Sequence, residues 1–141
     1  MALKLSAPLV KEFALTEADE AAGTTGEPTA ISVRQAENGE VEQRNELFSS
    51  FQREYIQDAV KVTQDISFDQ VRRKEVFLTL AACNIQTEDG KQLFIFKNGR
   101  LENETAFSRA WSKLPPAYAE AIHLKVLEMN PMWKPEVGEV G

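Results

Sequence analysis

The sequence is poor in the residues that most often carry chemistry, since it has only one cysteine, Cys83, and one histidine, His123. A lone cysteine forms no internal disulfide, which favours a reducing compartment. Structural zinc sites use four cysteine or histidine ligands, more than the chain holds. Its glycines match neither a phosphate-binding loop nor a dinucleotide fingerprint. We therefore expect no metal and no cofactor.

Basic residues and long apolar runs are also scarce. The chain has 16 lysines and arginines against 22 acidic residues, a net charge of −6, whereas a general nucleic-acid binder carries a basic surface for phosphates. No stretch approaches the roughly 18 consecutive apolar residues of a membrane span, and the first residues lack the apolar run of a signal peptide. These absences predict a cytoplasmic protein that binds neither nucleic acid nor membrane.

The overall composition is typical of a folded domain. Hydrophobic residues make up 43% and charged residues 27% of the sequence, so we expect one domain over residues 1–141. Two segments look unable to bury enough apolar surface to offset their ordering entropy. One is an acidic stretch at 16–28, predicted to be a mobile loop in which Thr16 could open a short helical turn. The other is a flexible tail at 134–141.

The first half of the chain mixes strand and helix patterns. Apolar residues alternate over 29–35, which predicts a half-buried strand, and 9–15 is a second candidate strand. After a turn at 38–39, apolar residues recur at helical spacing over 40–56. We expect the aromatic face of this helix to pack on the sheet. Its residues are Phe48, Phe51 and Tyr55.

The middle of the chain is less uniform. Residues 59–64 alternate like a strand, and 67–80 fit a helix, although the second half of that helix also fits a buried strand. Turn signals at 88–90 and 97–99 flank a short apolar strand at 93–96.

The last third of the sequence predicts two helices. Asn103 can cap the first, in which Phe107 and Trp111 share an apolar face and Trp111 is expected to be structural. Pro115 stops this helix because it lacks an amide hydrogen, and Pro116 suits the first turn of the next. Together the patterns predict an α+β fold, with a small antiparallel sheet packed against helices and a C-terminal pair of helices broken at a double proline.

No group of residues forms a recognisable catalytic arrangement. Cys83 adjoins an apolar run without a catalytic signature, and His123 lies among apolar residues in a helix. Several carboxylates fall in the predicted mobile loop, where their positions would not be preorganised. We therefore predict that the protein is not an enzyme.

The helix that follows Pro116 carries more apolar surface than one core-facing side requires, and two interpretations stay open. In the first, the sheet and the long helix cover it completely. In the second, part of it faces a partner, as large exposed apolar patches do. Leaving Leu124 and Leu127 in water would forgo roughly 1.5–3 kcal/mol for each side chain, so an exposed face here would indicate a binding site.

Six short motifs follow one another in a fixed order along the chain. They are Ile31-Ser-Val-Arg-Gln-Ala36, Arg73-Lys-Glu-Val-Phe-Leu-Thr-Leu80 with Asn84-Ile85, Asp89-Gly-Lys-Gln-Leu-Phe94, Phe107-Ser-Arg-Ala-Trp111, Leu114-Pro115, and Val126-Leu-Glu-Met-Asn-Pro-Met-Trp133. In this order, and in a chain of this length, they resemble the tail assembly chaperones of long-tailed bacteriophages. The resemblance spans residues 29–133.

The resemblance implies a protein of the infected host's cytoplasm that is absent from the mature virion. Such chaperones bind the tape measure protein, which is long, helical and apolar, and keep it soluble until tail tube subunits polymerise around it. Many are made in two lengths by translational frameshifting, and this chain would be the short form. The chaperone itself and the tail tube subunits are further candidate partners, and the family defines no catalytic residues.

From these expectations we predict a partner-binding surface on the second C-terminal helix and the residues after it. It consists of Ile122, Leu124, Val126, Leu127, Met129 and Trp133. Two alternative functions stay open. One is a structural virion protein, such as a tail-completion or connector subunit, that would use the same surface for permanent contacts. The other is a small regulatory protein-binding domain.

Overall fold

The protein has an α+β fold, as the sequence predicts. The computed structural model describes residues 2–57 and 68–134, and over residues 49–57 it describes the backbone alone. The predicted strand at 59–64 and all but the first residue of the predicted tail at 134–141 lie outside the described residues.

Three antiparallel strands form the main sheet, with β2 between β1 and β3. β1 covers Val10–Ala14, β2 covers Ala30–Arg34 and β3 covers Leu80–Cys83. Ile31 and Val33 are buried, while Ser32 between them is partly exposed, which is the alternation expected of a half-buried strand. The predicted strands at 9–15 and 29–35 are confirmed, each shorter by one residue at both ends.

The prediction of a mobile loop at 16–28 is wrong for its first half, because Thr16–Ala22 forms helix α1, which begins at the residue expected to open a helical turn. Asp19 is buried, and its carboxylate accepts hydrogen bonds from the Thr29 amide at 2.8 Å, the Thr29 hydroxyl at 2.7 Å and the Tyr118 hydroxyl at 2.7 Å. The Thr29 amide, followed by the two hydroxyl groups, lowers the pKa of Asp19 below its ordinary value. An acidic residue that looked solvated in the sequence therefore anchors α1 to the rest of the fold.

Helix α2 covers Asn38–Gln57. It confirms the predicted helix at 40–56 but begins two residues earlier, so the expected turn at 38–39 is instead part of the helix. Phe48 is half-buried and lines a surface groove rather than the sheet, with its ring centroid 5.0 Å from the Arg44 guanidinium carbon. The other two aromatic side chains of the predicted face, those of Phe51 and Tyr55, lie outside the described part of the structure.

The segment that fits both helix and strand patterns divides between two elements. Helix α3 covers Phe68–Thr79, and Leu80 is the first residue of β3. The predicted helix at 67–80 is therefore confirmed over 68–79 and wrong for its last residue. Arg34 of β2 donates a hydrogen bond to the Leu78 carbonyl at 2.6 Å, which satisfies one of the carbonyl groups left open where a helix ends. Leu80 is fully buried and pairs with β2.

A second, two-stranded sheet is a short hairpin. β4 covers Phe96–Lys97 and β5 covers Arg100–Leu101. Between them Asn98 and Gly99 have φ angles of 54° and 73°, as a two-residue type I′ turn requires. The predicted turn at 97–99 is confirmed. The predicted strand at 93–96 is wrong except for its last residue, since β4 begins only at Phe96. Phe94 instead lies in the core, with its ring centroid 5.4 Å from that of Phe107.

The C-terminal pair of helices is broken at the double proline, as predicted. α4 covers Glu104–Trp111, α5 covers Pro116–Met129, and a short 3-10 turn covers Pro131–Trp133. Asn103 caps α4, since its side chain accepts a hydrogen bond from the Ala106 amide at 2.9 Å. Pro116 occupies the first turn of α5, where the helix needs no amide hydrogen.

The core lies between one face of the three-stranded sheet and helices α3, α4 and α5. Phe107 stands in an aromatic group with Phe77, Phe94 and Trp111, whose rings lie 5.4–5.7 Å from its own. Trp111 is therefore structural, as the sequence predicts. Because α5 packs on both β2 and α3, one of its faces is fixed against the core and another faces solvent.

A buried ion pair connects β2 with α2. Arg34 of β2 and Glu40 of α2 are both buried and form two hydrogen bonds of 2.6 and 2.9 Å. Arg100 of β5 donates a further bond to Glu40 at 3.0 Å. Burial raises the pKa of Glu40, but the bonds from Arg34 and the Glu37 amide, with the charges of the two arginines, outweigh it, so the pKa lies below its ordinary value. The pair thereby joins three separate elements.

Candidate protein-binding surface on helix α5

Four of the six residues predicted to bind a partner are buried. Ile122 and Val126 have no exposed surface, and Met129 and Trp133 are almost completely covered. These four side chains belong to the core, although Trp133 also lines a surface groove. For Ile122, Val126 and Met129 the assignment as contact residues is wrong because α5 is apolar on several faces, and such a helix does not show from its sequence which face the fold covers.

The other two predicted residues, Leu124 and Leu127, reach the surface. Leu124 is 54% exposed, and Leu127 is half-buried. Residues three positions apart are neighbours on a helix, so the two side chains share one face of α5. This face is the part of the predicted site that remains available to a partner.

A groove between α1 and α5 adjoins this face, with a volume of about 670 Å³. We call it the α1–α5 groove. Its apolar lining is Ala14, Leu15, Ala18, Ala121, Leu124 and Leu127. The polar part of the lining is Thr16, Glu17, Lys125, Glu128 and Lys134, so the charges of this groove are mixed in sign.

A second groove of about 490 Å³ lies on the other side of Leu127 and is lined by α2, α3, α5 and the 3-10 turn. We call it the α3–α5 groove. Its most exposed apolar residues are Phe68, at the start of α3, and Met132, which are 89% and 56% exposed. Neither was among the predicted contact residues, and no spacing pattern in the sequence marks Phe68 as exposed. Leu127 and Lys134 line both grooves, which therefore form one continuous surface.

A charged cluster lines the α3–α5 groove around the buried carboxylate of Glu75. One carboxylate oxygen accepts a hydrogen bond from Arg44 Nε at 2.8 Å, and the other lies 2.6 Å from His123 Nε2. Both oxygens of Glu75 are therefore engaged within the protein. The sequence could not reveal this cluster, since 31 positions separate Glu75 from Arg44 and 48 separate it from His123.

The groups that most often act as nucleophiles or metal ligands are not arranged for those tasks. Burial raises the pKa of the Cys83 thiol to about 11, so at neutral pH the thiol is protonated and weakly nucleophilic. Within residues 2–48 and 68–134, no three histidine, cysteine, aspartate or glutamate side chains are grouped so that they could hold a metal ion.

Comparison of the chain with protein-family models, with curated proteins and with solved structures finds no match. Among the described helices, none combines the length and the apolar character needed to span a bilayer. The apolar surface of α5 and the order of the sequence motifs are therefore the two observations that bear on function.

Proposed function

We propose that the protein is a non-catalytic tail assembly chaperone of a long-tailed bacteriophage. It binds the tape measure protein in the host cytoplasm, keeps it soluble during tail assembly and stays out of the mature virion. One structural observation supports a binding role: exposed apolar side chains, those of Leu124, Phe68 and Met132, line two grooves that meet at Leu127. The resemblance of the motif order over residues 29–133 suggests which client these grooves bind.

A surface of this shape suits a helical, apolar client. An amphipathic helix binds a groove by inserting apolar side chains that are spaced three and four residues apart. Grooves of about 670 and 490 Å³ have room for several such side chains. Because the chain has a net charge of −6, copies of the protein, free or in complex, repel one another in solution. Apolar contact thus shields the client while charge repulsion opposes aggregation.

Co-expression tests the proposal. The tape measure protein of the same phage is produced alone, with the wild-type protein, or with a Leu124→Asp/Met132→Asp variant, and its soluble fraction is measured after centrifugation. We expect the wild-type protein to raise this fraction and the variant to lose the effect, because each aspartate places a charge in an apolar contact. Both replaced side chains are more than half exposed, so the variant should still fold.

Ile95→Asp is the matched control, since Ile95 is 74% exposed but lies outside both grooves. It should protect the client as well as the wild-type protein does. A folded Leu124→Asp/Met132→Asp variant with full protective effect would contradict the proposed surface. A wild-type protein that leaves the client insoluble would contradict the proposed function.

Purified phage particles separate the chaperone from a structural virion subunit. Mass spectrometry should detect the protein in infected-cell lysate and not in the particles. Its presence in particles at the stoichiometry of a tail subunit would instead identify it as a structural component.

A further inference from the structure

Two buried hydrogen-bond donors at the α3–α5 groove lack an acceptor. Trp133 is only 6% exposed, and its indole Nε1–H has no partner among the residues described. The Nε–H of Arg72 is also buried and has no acceptor among the described residues. Another nitrogen of this guanidinium donates to the exposed Asp69 at 2.9 Å. Buried donors are almost always hydrogen-bonded, because an unpaired one has lost its water without gaining a partner.

Both donors belong to residues that line one groove, beside three apolar side chains at its surface. These are Phe68, Leu127 and Met132. A molecule that fits the groove therefore needs two properties together: apolar groups for these side chains and an acceptor atom for the unpaired donors. An apolar segment without an acceptor would leave the Trp133 and Arg72 donors further from water.

The charges at the groove favour an acceptor that is negatively charged. Glu75 is already held by Arg44 and His123, so its charge is compensated. The other charged residues of the groove are Arg72 and Lys134, which are positive, and Asp69, which is negative. The ion pair between Asp69 and Arg72 is exposed and therefore weak. Since a carboxylate forms stronger hydrogen bonds with such donors than a neutral oxygen does, it is the acceptor that best complements this site.

We propose that the α3–α5 groove binds a helical client segment that carries a glutamate or aspartate beside its apolar stripe. The apolar side chains pack on Phe68, Leu127 and Met132, and the carboxylate accepts hydrogen bonds from Arg72 and Trp133. This inference rests on the proposed function, which supplies an apolar helical client. It adds that the client is recognised through an acidic residue as well as through its apolar face.

Synthetic helical peptides test the inference without the full client. Three alanine-rich peptides share one leucine stripe at helical spacing and differ only at two flanking positions, which are glutamate, glutamine or lysine. Isothermal titration calorimetry at low salt should show the glutamate peptide binding about tenfold more tightly than the glutamine peptide, the size expected for a charge-assisted hydrogen bond. The lysine peptide should bind more weakly than either. Equal affinities for the glutamate and glutamine peptides would overturn the inference.

Two variants assign the preference to the two donors. Trp133→Phe removes the indole N–H but keeps an aromatic ring, and Arg72→Gln removes the guanidinium from a partly exposed position. Each should reduce the glutamate-over-glutamine preference several-fold, because it weakens binding of the glutamate peptide more than binding of the glutamine peptide. Arg109→Gln, an exposed arginine on α4, is the matched control and should keep the full preference. Arg72→Gln leaves the core intact. If this variant kept the full preference for the glutamate peptide, the unpaired donors would not be its cause.

Two other occupants of the groove would give different results. Residues 135–141 include Glu136 and Glu139, and their removal should leave peptide affinity unchanged. A gain in affinity on removal would show that this segment of the chain fills the groove, which would overturn the inference. Dimerisation in analytical ultracentrifugation that Arg72→Gln abolishes would point to a second copy as occupant and would overturn it as well.

The inference and the proposed function can fail separately. If the protein solubilises the tape measure protein but binds the glutamate and glutamine peptides equally, the proposed function stands and the proposed recognition of an acidic residue is wrong. If the protein prefers the glutamate peptide but leaves the tape measure protein insoluble, recognition of an acidic residue stands and the tape measure protein is not the client.

Discussion

Replacement of Glu40 by alanine should destabilise the fold strongly. The substitution leaves the buried guanidinium of Arg34 without the two hydrogen bonds of 2.6 and 2.9 Å that Glu40 accepts. Its bonds to the Leu78 carbonyl at 2.6 Å and the Gln35 carbonyl at 3.5 Å go to neutral groups and do not neutralise the charge. Arg100 is partly exposed, so it can turn to solvent at little cost. Removing one partner of a buried ion pair costs about 3–5 kcal/mol. At ~2–4 °C per kcal/mol for a chain of this size, Tm should fall by about 10 °C.

Urea denaturation followed by far-UV circular dichroism measures this loss at neutral pH. Glu46→Ala is the matched control, since Glu46 is exposed on the same helix and its removal should change the free energy of unfolding by less than about 0.5 kcal/mol. The double variant Arg34→Met/Glu40→Leu should be more stable than Glu40→Ala, because it leaves no unpaired buried charge. A Glu40→Ala protein as stable as Glu46→Ala would refute the reasoning.

The same ion pair predicts a loss of stability in acid. The pKa of Glu40 is lower in the folded protein than its ordinary value, although burial alone would raise it, because Arg34 and the Glu37 amide bind the ionised form. The ionised carboxylate therefore stabilises the fold above the unfolded-state pKa of about 4.3, and this contribution is lost as the pH falls through the folded-state pKa. The difference in unfolding free energy between wild type and Glu40→Gln should shrink below about pH 4. A constant difference down to about pH 3 would contradict the assignment.

Three further predictions concern single residues. Ile122→Ala should cost about 2–5 kcal/mol of unfolding free energy and Leu124→Ala less than about 0.5 kcal/mol, and similar losses in denaturant titrations would contradict the placement of one residue in the core and the other at the surface. Asn103→Ala removes the cap of α4 and should cost about 0.5–2 kcal/mol by the same titration, whereas no change would show that the cap is dispensable. The Cys83 thiol, with a pKa near 11, should react slowly with a disulfide reagent in the native protein and quickly in urea, and rapid native reaction would show that it is not buried.

The parts of the fold that the sequence predicted correctly are those set by neighbouring residues. Ile31 and Val33 alternate with polar residues, Asn103 lies three positions before the amide that it caps, and Pro115 and Pro116 separate two helices whatever lies around them. Helix α1 was predicted only as a short turn that Thr16 could open, for the opposite reason. The carboxylate of Asp19 is satisfied by Thr29 and Tyr118, which lie 10 and 99 positions away and leave no pattern within the helix itself.

The candidate site was predicted only in part because α5 is apolar on more than one face. Ile122 and Leu124 are equally apolar, and only the position of β2 and α3 decides that the first is covered and the second is not. Burial of Trp133 depends on Asn130, which is itself buried and accepts a hydrogen bond from the Ala36 amide at 2.8 Å, close to the end of β2. The grooves combine residues from distant elements, so their lining could not be read from spacing.

The bond between Tyr118 and Asp19 has a consequence for the newly made chain. It joins positions 99 residues apart, and the bond between Asn130 and Ala36 spans 94. Ribosomes add about 5–20 residues per second, so about 5–20 s separate the synthesis of β1 and β2 from that of the helix that covers them. During this interval Ile31 and Val33 have no apolar cover from α5. The N-terminal strands therefore cannot complete their core until α5 has been synthesised. The rate of translation sets how long their apolar side chains remain uncovered and able to aggregate.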